Sequence, residues 1–322
     1  MNQGEKQPAP VPPRGKVVIA GGSGTLGTAL ADDLAQRGVE VVVLSRRPDP
    51  GARHRQVAWD ARTVGPWPDE LDGCLGVVNL AGRLVDARPT AANVADLRAS
   101  RVDATRALVA AAARLDRPVP RWLQASTTAI WSDAGEALLD ETSPLPEPGL
   151  PQMTGVARPW EEAAAGVNAE HVVTLRTSIV LDRGTPALDR LLLLTRFGLG
   201  GTVGSGRQWF SWIHVDDWLT IARAALGLEP GLELPDGVVV AAAPNPVRND
   251  ELMATLRRAS GRRVGLPTPA PLLRLGAVAL RTDPALALTG RHTTSRVLAD
   301  AGMTWRHPTL AGALDDLLGG EA

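Results

Sequence analysis

Short unbroken apolar runs alternate along this chain with longer stretches of helical spacing. Residues 16–20, Lys-Val-Val-Ile-Ala, are β-branched and followed at once by glycines, which reads as a buried strand. Residues 28–37 place Ala29, Leu30 and Leu34 at helical spacing, and Gly38 stops them. Residues 39–44 form a second buried strand and complete a βαβ unit of about 30 residues. The alternation continues with strands over 75–80, 121–125 and 172–181, and helices over 93–115 and 159–166. The last of these helices is taken to start at Pro159, because proline suits a first turn. Such alternation predicts an α/β fold with a doubly wound, mainly parallel sheet covered by helices on both faces. After residue 181 the texture changes. Helices are expected over 188–197, 215–226, 250–260, 271–280 and 309–318, a strand over 238–243, and a loop over the glycine-rich stretch 198–206. The expected organisation is a polar, Pro-rich disordered tail over 1–14, a main domain over 15–242, and a smaller, mainly helical C-terminal lobe over 243–322 to which 182–212 contribute.

The turn after the first strand carries chemistry. Gly21, Gly24 and Gly27 fit G-x-x-G-x-x-G, between a strand and a helix inside a βαβ unit, which is the context the motif requires. Glycines let the backbone approach a pyrophosphate, and the free N–H groups of Ser23, Gly24, Thr25, Leu26 and Gly27 around the helix start suit its charge. The competing reading is a tight turn without a ligand. Where an NAD site usually places an acid for the ribose, at the end of the second strand, this chain has Ser45-Arg46-Arg47. Guanidinium groups there suit a 2′-phosphate, so NADP(H) is favoured over NAD; the alternative is that both arginines are merely solvated. Asp60 is read either as an adenine contact or as a surface acid. Asn79, Ala81 and Gly82 end the next strand, where small residues permit close approach to the cofactor.

Composition narrows the function. Lys+Arg 34 against Asp+Glu 35 leaves a net charge of -1, which gives no electrostatic case for nucleic acid or an anionic membrane. One cysteine, Cys74, excludes an internal disulfide framework. No apolar run reaches the roughly 20 residues of a membrane span, and residues 1–14 have no signal-peptide core, so a cytoplasmic protein is expected. The five histidines, His54, His171, His214, His292 and His307, show no ligand spacing, and no metal site is expected. There is no tyrosine, and lysine occurs only at positions 6 and 16. Any mechanism that needs a tyrosine or a mid-chain lysine is excluded.

The chain resembles the extended short-chain dehydrogenase/reductase superfamily, and within it the atypical epimerase-like branch described as nucleoside-diphosphate-sugar epimerases with a distinctive C-terminal domain. The residues that carry the resemblance are Gly21 to Gly27, Val77-Val-Asn-Leu-Ala-Gly82, Ser100-Arg101 with Ala104-Thr105, Trp160-Glu161, Leu175-Arg-Thr177, Gly204-Ser-Gly-Arg-Gln208, Trp212-Ile-His-Val-Asp-Asp217 and Pro246-Val-Arg-Asn249. The resemblance implies a Rossmann-type domain, an NADP-like cofactor and a substrate cleft roofed by the smaller lobe. Extended members of the superfamily generally use a Tyr-x-x-x-Lys pair; this branch commonly departs from it, and so does this chain. Counting back from Glu161 puts Met153 at the tyrosine position and Ala157 at the lysine position; a one-residue slip gives Thr154 and Arg158. The tyrosine-containing turn of the branch reads Ser126-Thr-Thr-Ala-Ile-Trp-Ser-Asp133 here.

Ser126 and Thr128 are the candidates for holding a substrate oxygen, Ser126 foremost, because strand C-termini face the cleft. Trp131, Arg207 and Gln208 are the candidates for substrate binding. For the last two, the alternative is a loop pinned to the protein's own acids. His214, Asp133, Glu161, Asp216 and Asp217 remain as titratable groups, each with a structural alternative. Asp216 and Asp217 are read equally as helix caps, Glu161 as a first-turn acid, and Arg101 and Arg176 as buried structural arginines. The expected function is an NADP(H)-dependent oxidoreductase or epimerase-like enzyme on a small organic substrate. The rival is a non-catalytic NADP(H)-binding regulatory or scaffold protein. Oligomeric state is left open.

Overall fold

The computed structural model describes residues 15–85, 87–279 and 282–319; the expected tail over 1–14 lies outside them. The first half runs β1 (Lys16–Ala20), α1 (Thr25–Gln36), β2 (Glu40–Ser45), β3 (Arg55–Ala58), β4 (Gly76–Asn79), α2 (Ala91–Ala112), β5 (Val119–Thr127), β6 (Leu138–Leu139) and α3 (Thr154–Glu162). Then follow β7 (Ala169–Thr177), β8 (Ile179–Leu181), α4 (Pro186–Arg196), β9 (Trp209–Phe210), β10 (Trp212–His214), α5 (Val215–Ala225) and β11 (Gly237–Ala241). The chain closes with β12 (Val247–Arg248), α6 (Asn249–Ala259), α7 (Ala270–Ala279), α8 (Ala285–Leu288), β13 (His292–Thr293), α9 (Arg296–Asp300) and α10 (Leu310–Leu318).

Seven strands form one parallel sheet in the order β11-β7-β5-β4-β1-β2-β3. The sheet is doubly wound and Rossmann-like. From β1 the chain moves one way to β2 and β3 and then crosses to β4 on the other side. The strand order therefore reverses between β1 and β4, where such sheets open a crevice at their C-terminal ends. The apolar runs are explained by burial on both faces. Val17 and Ile19 of β1 pack with Leu30 and Leu34 of α1 and with Trp218 and Ile221 of α5. Val18 and Ala20 pack on the other face with Ala104, Leu108 and Ala111 of α2.

Besides short elements that were not expected (β6, β9, β10, β12, β13, α8 and α9), three differences bear on the site and the main sheet. The strand expected over 172–181 divides at Ser178, whose N–H and hydroxyl both donate to the Ala241 carbonyl, at 3.0 and 2.9 Å. Beyond it β8 leaves the main sheet and pairs with β10. The edge strand β3 was not anticipated: its four residues are half-buried or exposed and give no apolar run. Helix α3 begins at Thr154, five residues before the expected start, and holds Pro159 in its interior. Proline cannot donate to the carbonyl four residues earlier. That carbonyl, on Gly155, accepts instead from Arg98 Nε at 2.8 Å.

A separate apolar cluster gathers Leu181, Leu188 of α4, Trp212 of β10, Leu252 and Leu256 of α6, and Leu310, Leu314 and Leu317 of α10. It joins residues before β11 to the end of the chain. Among the described residues, no helix is long and apolar enough to cross a membrane.

Candidate active site

The turn after β1 is packed at backbone distances. Gly21 has φ +83°, and a Cβ on it would stand 2.7 Å from the Leu80 carbonyl carbon and oxygen. A Cβ on Gly27 would stand 2.4 Å from the Gly21 oxygen. Strand β1, strand β4 and helix α1 therefore meet with no room for a methyl group. Gly24 is the N-cap of α1 and brings no side-chain cap, while Ser23, Gly24 and Thr25 are exposed. The first N–H groups of α1 thus face outward with the positive end of the helix dipole behind them. Leu26 is half-buried and packs on the core. The Gly24 N–H donates to the Gly21 carbonyl at 3.1 Å, which corrects its reading as a free donor; the turn still fits a pyrophosphate through the uncapped N–H groups at the start of α1.

At the end of β2, Ser45 is buried and its hydroxyl accepts from Arg47 N–H at 3.3 Å. Arg46 and Arg47 are exposed, and among the described residues neither guanidinium has a carboxylate partner. Asp60 accepts from the N–H groups of Arg62 and Thr63 at 2.8 Å each and from the Thr63 hydroxyl at 2.6 Å. Those bonds pull its pKa down to about 2 and build a turn at Ala61, which has φ +59°.

Asn79 does not present its side chain to a ligand. It is 0% exposed; its amide donates to Thr105 Oγ1 at 2.8 Å and Gln124 Oε1 at 2.9 Å, and its Oδ1 accepts from Ala81 N–H. It braces the C-terminal ends of β4 and β5 against α2. Ala81 and Gly82 follow on the cleft side, and a Cβ on Gly82 would come 3.0 Å from Arg101 Cζ. Arg101 lies 5.1 Å over the Trp160 ring and donates to the Leu97 carbonyl.

Ser126 and Thr128 are both buried at the end of β5, yet their hydroxyls differ. Ser126 Oγ donates to Glu161 Oε1. Arg176 closes a fork on the same carboxylate, from Nε to Oε1 at 2.9 Å and from Nη2 to Oε2 at 2.8 Å. Ser126 is therefore tied into an internal ion pair. Glu161 lies in the last turn of α3 rather than the first, and Arg176, not the helix dipole, supports its charge. The Thr128 hydroxyl has no protein partner among the described residues and is not sealed from solvent.

Trp131 is 2% exposed, and its N–H donates to the Ser143 carbonyl at 3.3 Å. Arg176 stacks 4.9 Å from its ring centroid. The indole belongs to the interior, which corrects its reading as a substrate contact. Gln208 is likewise engaged internally: its amide donates to the carbonyls of Val203 and Ala287, both at 2.9 Å. Its bonds pin the loop, whereas Arg207 is exposed beside it. Met153 and Ala157, at the implied tyrosine and lysine positions, are buried at 3% and 1%.

The histidines are not all scattered. His214 and His307 stack with ring centroids 3.7 Å apart, and their ligand atoms gather with Asp216 within 4.8 Å of one another. His214 Nδ1 accepts from Asp216 N–H at 3.1 Å and caps α5, a role expected of Asp216 or Asp217. A neutral ring that accepts at Nδ1 carries its proton on Nε2, so Nε2 has no lone pair for a cation. Asp217 instead accepts from the N–H groups of Arg306 and His307 at 2.8 and 3.0 Å. The cluster fastens the 306–307 segment to α5.

One arginine beside these residues escaped the sequence reading altogether. Arg291, from the segment before β13, donates from Nη1 to the Ser132 carbonyl at 2.8 Å and lies 3.5 Å from Met153 Sδ. No motif marks it.

Comparison with known proteins agrees with the fold. The NAD dependent epimerase/dehydratase family matches residues 17–153. The human epimerase family protein SDR39U1 is 32% identical over 308 residues, covering 94% of this chain and 99% of that protein. The epimerase family protein YfhF of Bacillus subtilis is 29% identical over 307 residues, 94% of this chain and 97% of its own. The crystal structure of human SDR39U1 (isoform 2) with NADPH superposes with a TM-score of 0.81 at 30% identity, over 94% of this chain and 99% of that one. The nucleoside-diphosphate sugar epimerase from Corynebacterium glutamicum gives a TM-score of 0.72 at 30% identity, over 97% of this chain and 59% of that one. The chain belongs to the epimerase family that includes SDR39U1, an atypical branch of the extended short-chain dehydrogenases/reductases.

Proposed function

We propose that this protein is an NADP(H)-dependent oxidoreductase acting on a small organic substrate. The observation that carries the reading is the turn from Gly21 to Gly27, where a methyl group would meet backbone at 2.4–2.7 Å and the helix N–H groups face out. The NADPH-bound human relative supports the same coenzyme here. The N-terminal end of α1 would hold the pyrophosphate, and Arg46 and Arg47 would take the 2′-phosphate. When bound, a nicotinamide supplies or accepts the hydride.

The chain's own residues orient the substrate. Thr128, whose hydroxyl is free of protein partners, holds the reacting oxygen. Ser126 keeps Glu161 and Arg176 in register behind it. With no tyrosine in the chain, water is the proton source in this reading. The 1% exposure of Ala157, where an ammonium would hold the ribose, favours the second reading, a binder without turnover.

Calorimetric titration with NADPH and NADH, followed by nicotinamide absorbance against a panel of carbonyl compounds and alcohols, tests both. The double variant Arg46→Ala, Arg47→Ala should weaken NADPH by about tenfold or more and leave NADH nearly unchanged, since a charge-assisted pair is worth about 1.5–3 kcal/mol. Equal loss for both coenzymes would refute the phosphate clamp. Turnover that disappears in Thr128→Val supports the enzyme; tight NADPH binding with no oxidation across the panel supports the binder.

A further inference from the structure

Two arginines meet the segment at and after the end of β5, Arg176 beside Ser126 and Arg291 at Ser132, and their guanidinium groups are treated differently. Arg176 uses its Nε/Nη2 edge as a fork on Glu161. Among the described residues, the Arg291 side chain makes its polar contacts through Nη1, to the Ser132 carbonyl at 2.8 Å, Thr289 Oγ1 at 3.4 Å and Met153 Sδ at 3.5 Å. Its Nε and Nη2 have no acceptor among the described residues, and neither is sealed from solvent. Asp133 accepts from Gly290 N–H at 3.0 Å and acts on the guanidinium through Coulombic attraction without a direct ion pair.

The surroundings hold this group in place. Ser132 has φ +56° and ψ −123°, a conformation that residues other than glycine adopt only under constraint. Its hydroxyl accepts from Leu150 N–H at 2.7 Å and lies 2.7 Å from Thr154 Oγ1, which itself donates to the Ile130 carbonyl. The carbonyl that Ser132 offers to Arg291 is thereby fixed. The guanidinium stands against Met153, where the resemblance implies a tyrosine, and one short helical turn from Thr128.

We infer that Arg291 is the anion-recognition residue of the substrate site and that its Nε/Nη2 edge receives a carboxylate of the substrate. This deepens the oxidoreductase reading and rests on it for the location of the cleft. Burial disfavours this cation, the Coulombic pull of Asp133 opposes that only in part, and an anion on the free edge would offset the remainder. Burial pushes the Arg291 pKa down to about 10, in the same sense. The edge that remains is planar and bidentate, which matches a carboxylate as Arg176 matches Glu161.

The test uses the full chain saturated with NADPH and titrated by calorimetry with oxalate, with its neutral planar counterpart oxamide, and with inorganic phosphate. Oxalate should bind, oxamide should not, and inorganic phosphate, which the same fork can also pair, should bind no more tightly than oxalate. Arg291→Gln should weaken oxalate by about tenfold or more, and Arg291→Lys, which keeps the charge and loses the fork, should also weaken it. NADPH affinity should stay within about twofold in both variants, because the cofactor contacts lie on other strands. If Arg291→Gln does not fold, the lysine variant alone decides. Unchanged oxalate affinity in either folded variant, no oxalate binding by the parent chain, or tighter phosphate than oxalate would overturn the assignment. Failure of NADPH to bind would instead overturn the oxidoreductase reading, and titrating the free chain with oxalate would still test Arg291.

Discussion

At the turn after β1, the close approaches are between backbone atoms: a Cβ on Gly27 would meet the Gly21 oxygen at 2.4 Å and Gly22 Cα at 2.6 Å. At the end of β5, the close approaches are between side chains drawn from three elements, Ser126 on β5, Glu161 on α3 and Arg176 on β7. Both lie at the C-terminal edge of one sheet, yet they answer to different physics. The first is held by the absence of side chains and gains a binding surface from helix geometry alone. The second is held by a buried ion pair, whose worth depends on both partners being present.

The sharpest way to break this contrast is Glu161→Ala. It leaves Arg176, 6% exposed, without its carboxylate and Ser126 without its acceptor. Removing one partner of a buried pair costs about 3–5 kcal/mol, readable as a drop in urea unfolding free energy. Adding Arg176→Met to the same variant should recover much of the loss, since the stranded charge goes with it. A single-variant loss below about 1 kcal/mol would mean the pair behaves as a solvated surface bridge.

The same contrast explains what could be read beforehand. The sheet was legible because strands buried on both faces leave unbroken apolar runs, as at 16–20 and 39–44. The half-exposed β3 leaves none. The glycine turn was legible because its chemistry lies in the backbone, and the residues that form it are contiguous. The inward turn of the Asn79 side chain was not legible because a polar residue at a strand end reads alike whether it faces a ligand or, as here, Thr105 and Gln124. Glu161 was assigned to the wrong end of its helix because Pro159 signals a start unless something else satisfies the Gly155 carbonyl, and Arg98 does so from α2. Arg291 meets Ser132 and Met153 across 159 and 138 residues of sequence. No local pattern encodes such a meeting. The histidine pair failed for the same reason.

On the cofactor side, the comparison sharpens through two glycines. Gly27→Ala places a methyl against backbone that has no side chain to rotate away, so α1 must shift from the turn. The expected loss is about 1–3 kcal/mol of stability, with NADPH binding lost as the N–H groups move. Gly24→Ala meets only the Gly21 oxygen, at 3.4 Å, which is ordinary contact. Its expected cost is below about 1 kcal/mol, that of a poorer N-cap. Paired calorimetry and unfolding curves should therefore separate two substitutions three residues apart. Equal effects would show that the turn is not packed as tightly as its backbone implies.

The smallest effect expected concerns pH and the joint at α5. Burial, and then the neighbouring His307 ring, hold the His214 pKa below its ordinary value of 6.5, against the opposing pull of Asp216, Asp316 and Asp217. The cap works in the same direction, because Nδ1 must stay unprotonated to accept from Asp216 N–H. The unfolded chain therefore takes up a proton at this site before the folded chain does. The stabilisation is fully present above about pH 6.5 and is lost as pH falls from there toward the lower folded value. His214→Asn keeps a capping side chain and removes the titration. Unfolding free energies from about pH 7 to about pH 5 should fall more steeply for the parent chain than for the variant. Parallel slopes would mean that His214 takes up its proton equally in both states, and that the ring is not held neutral by its place between α5 and the 306–307 segment.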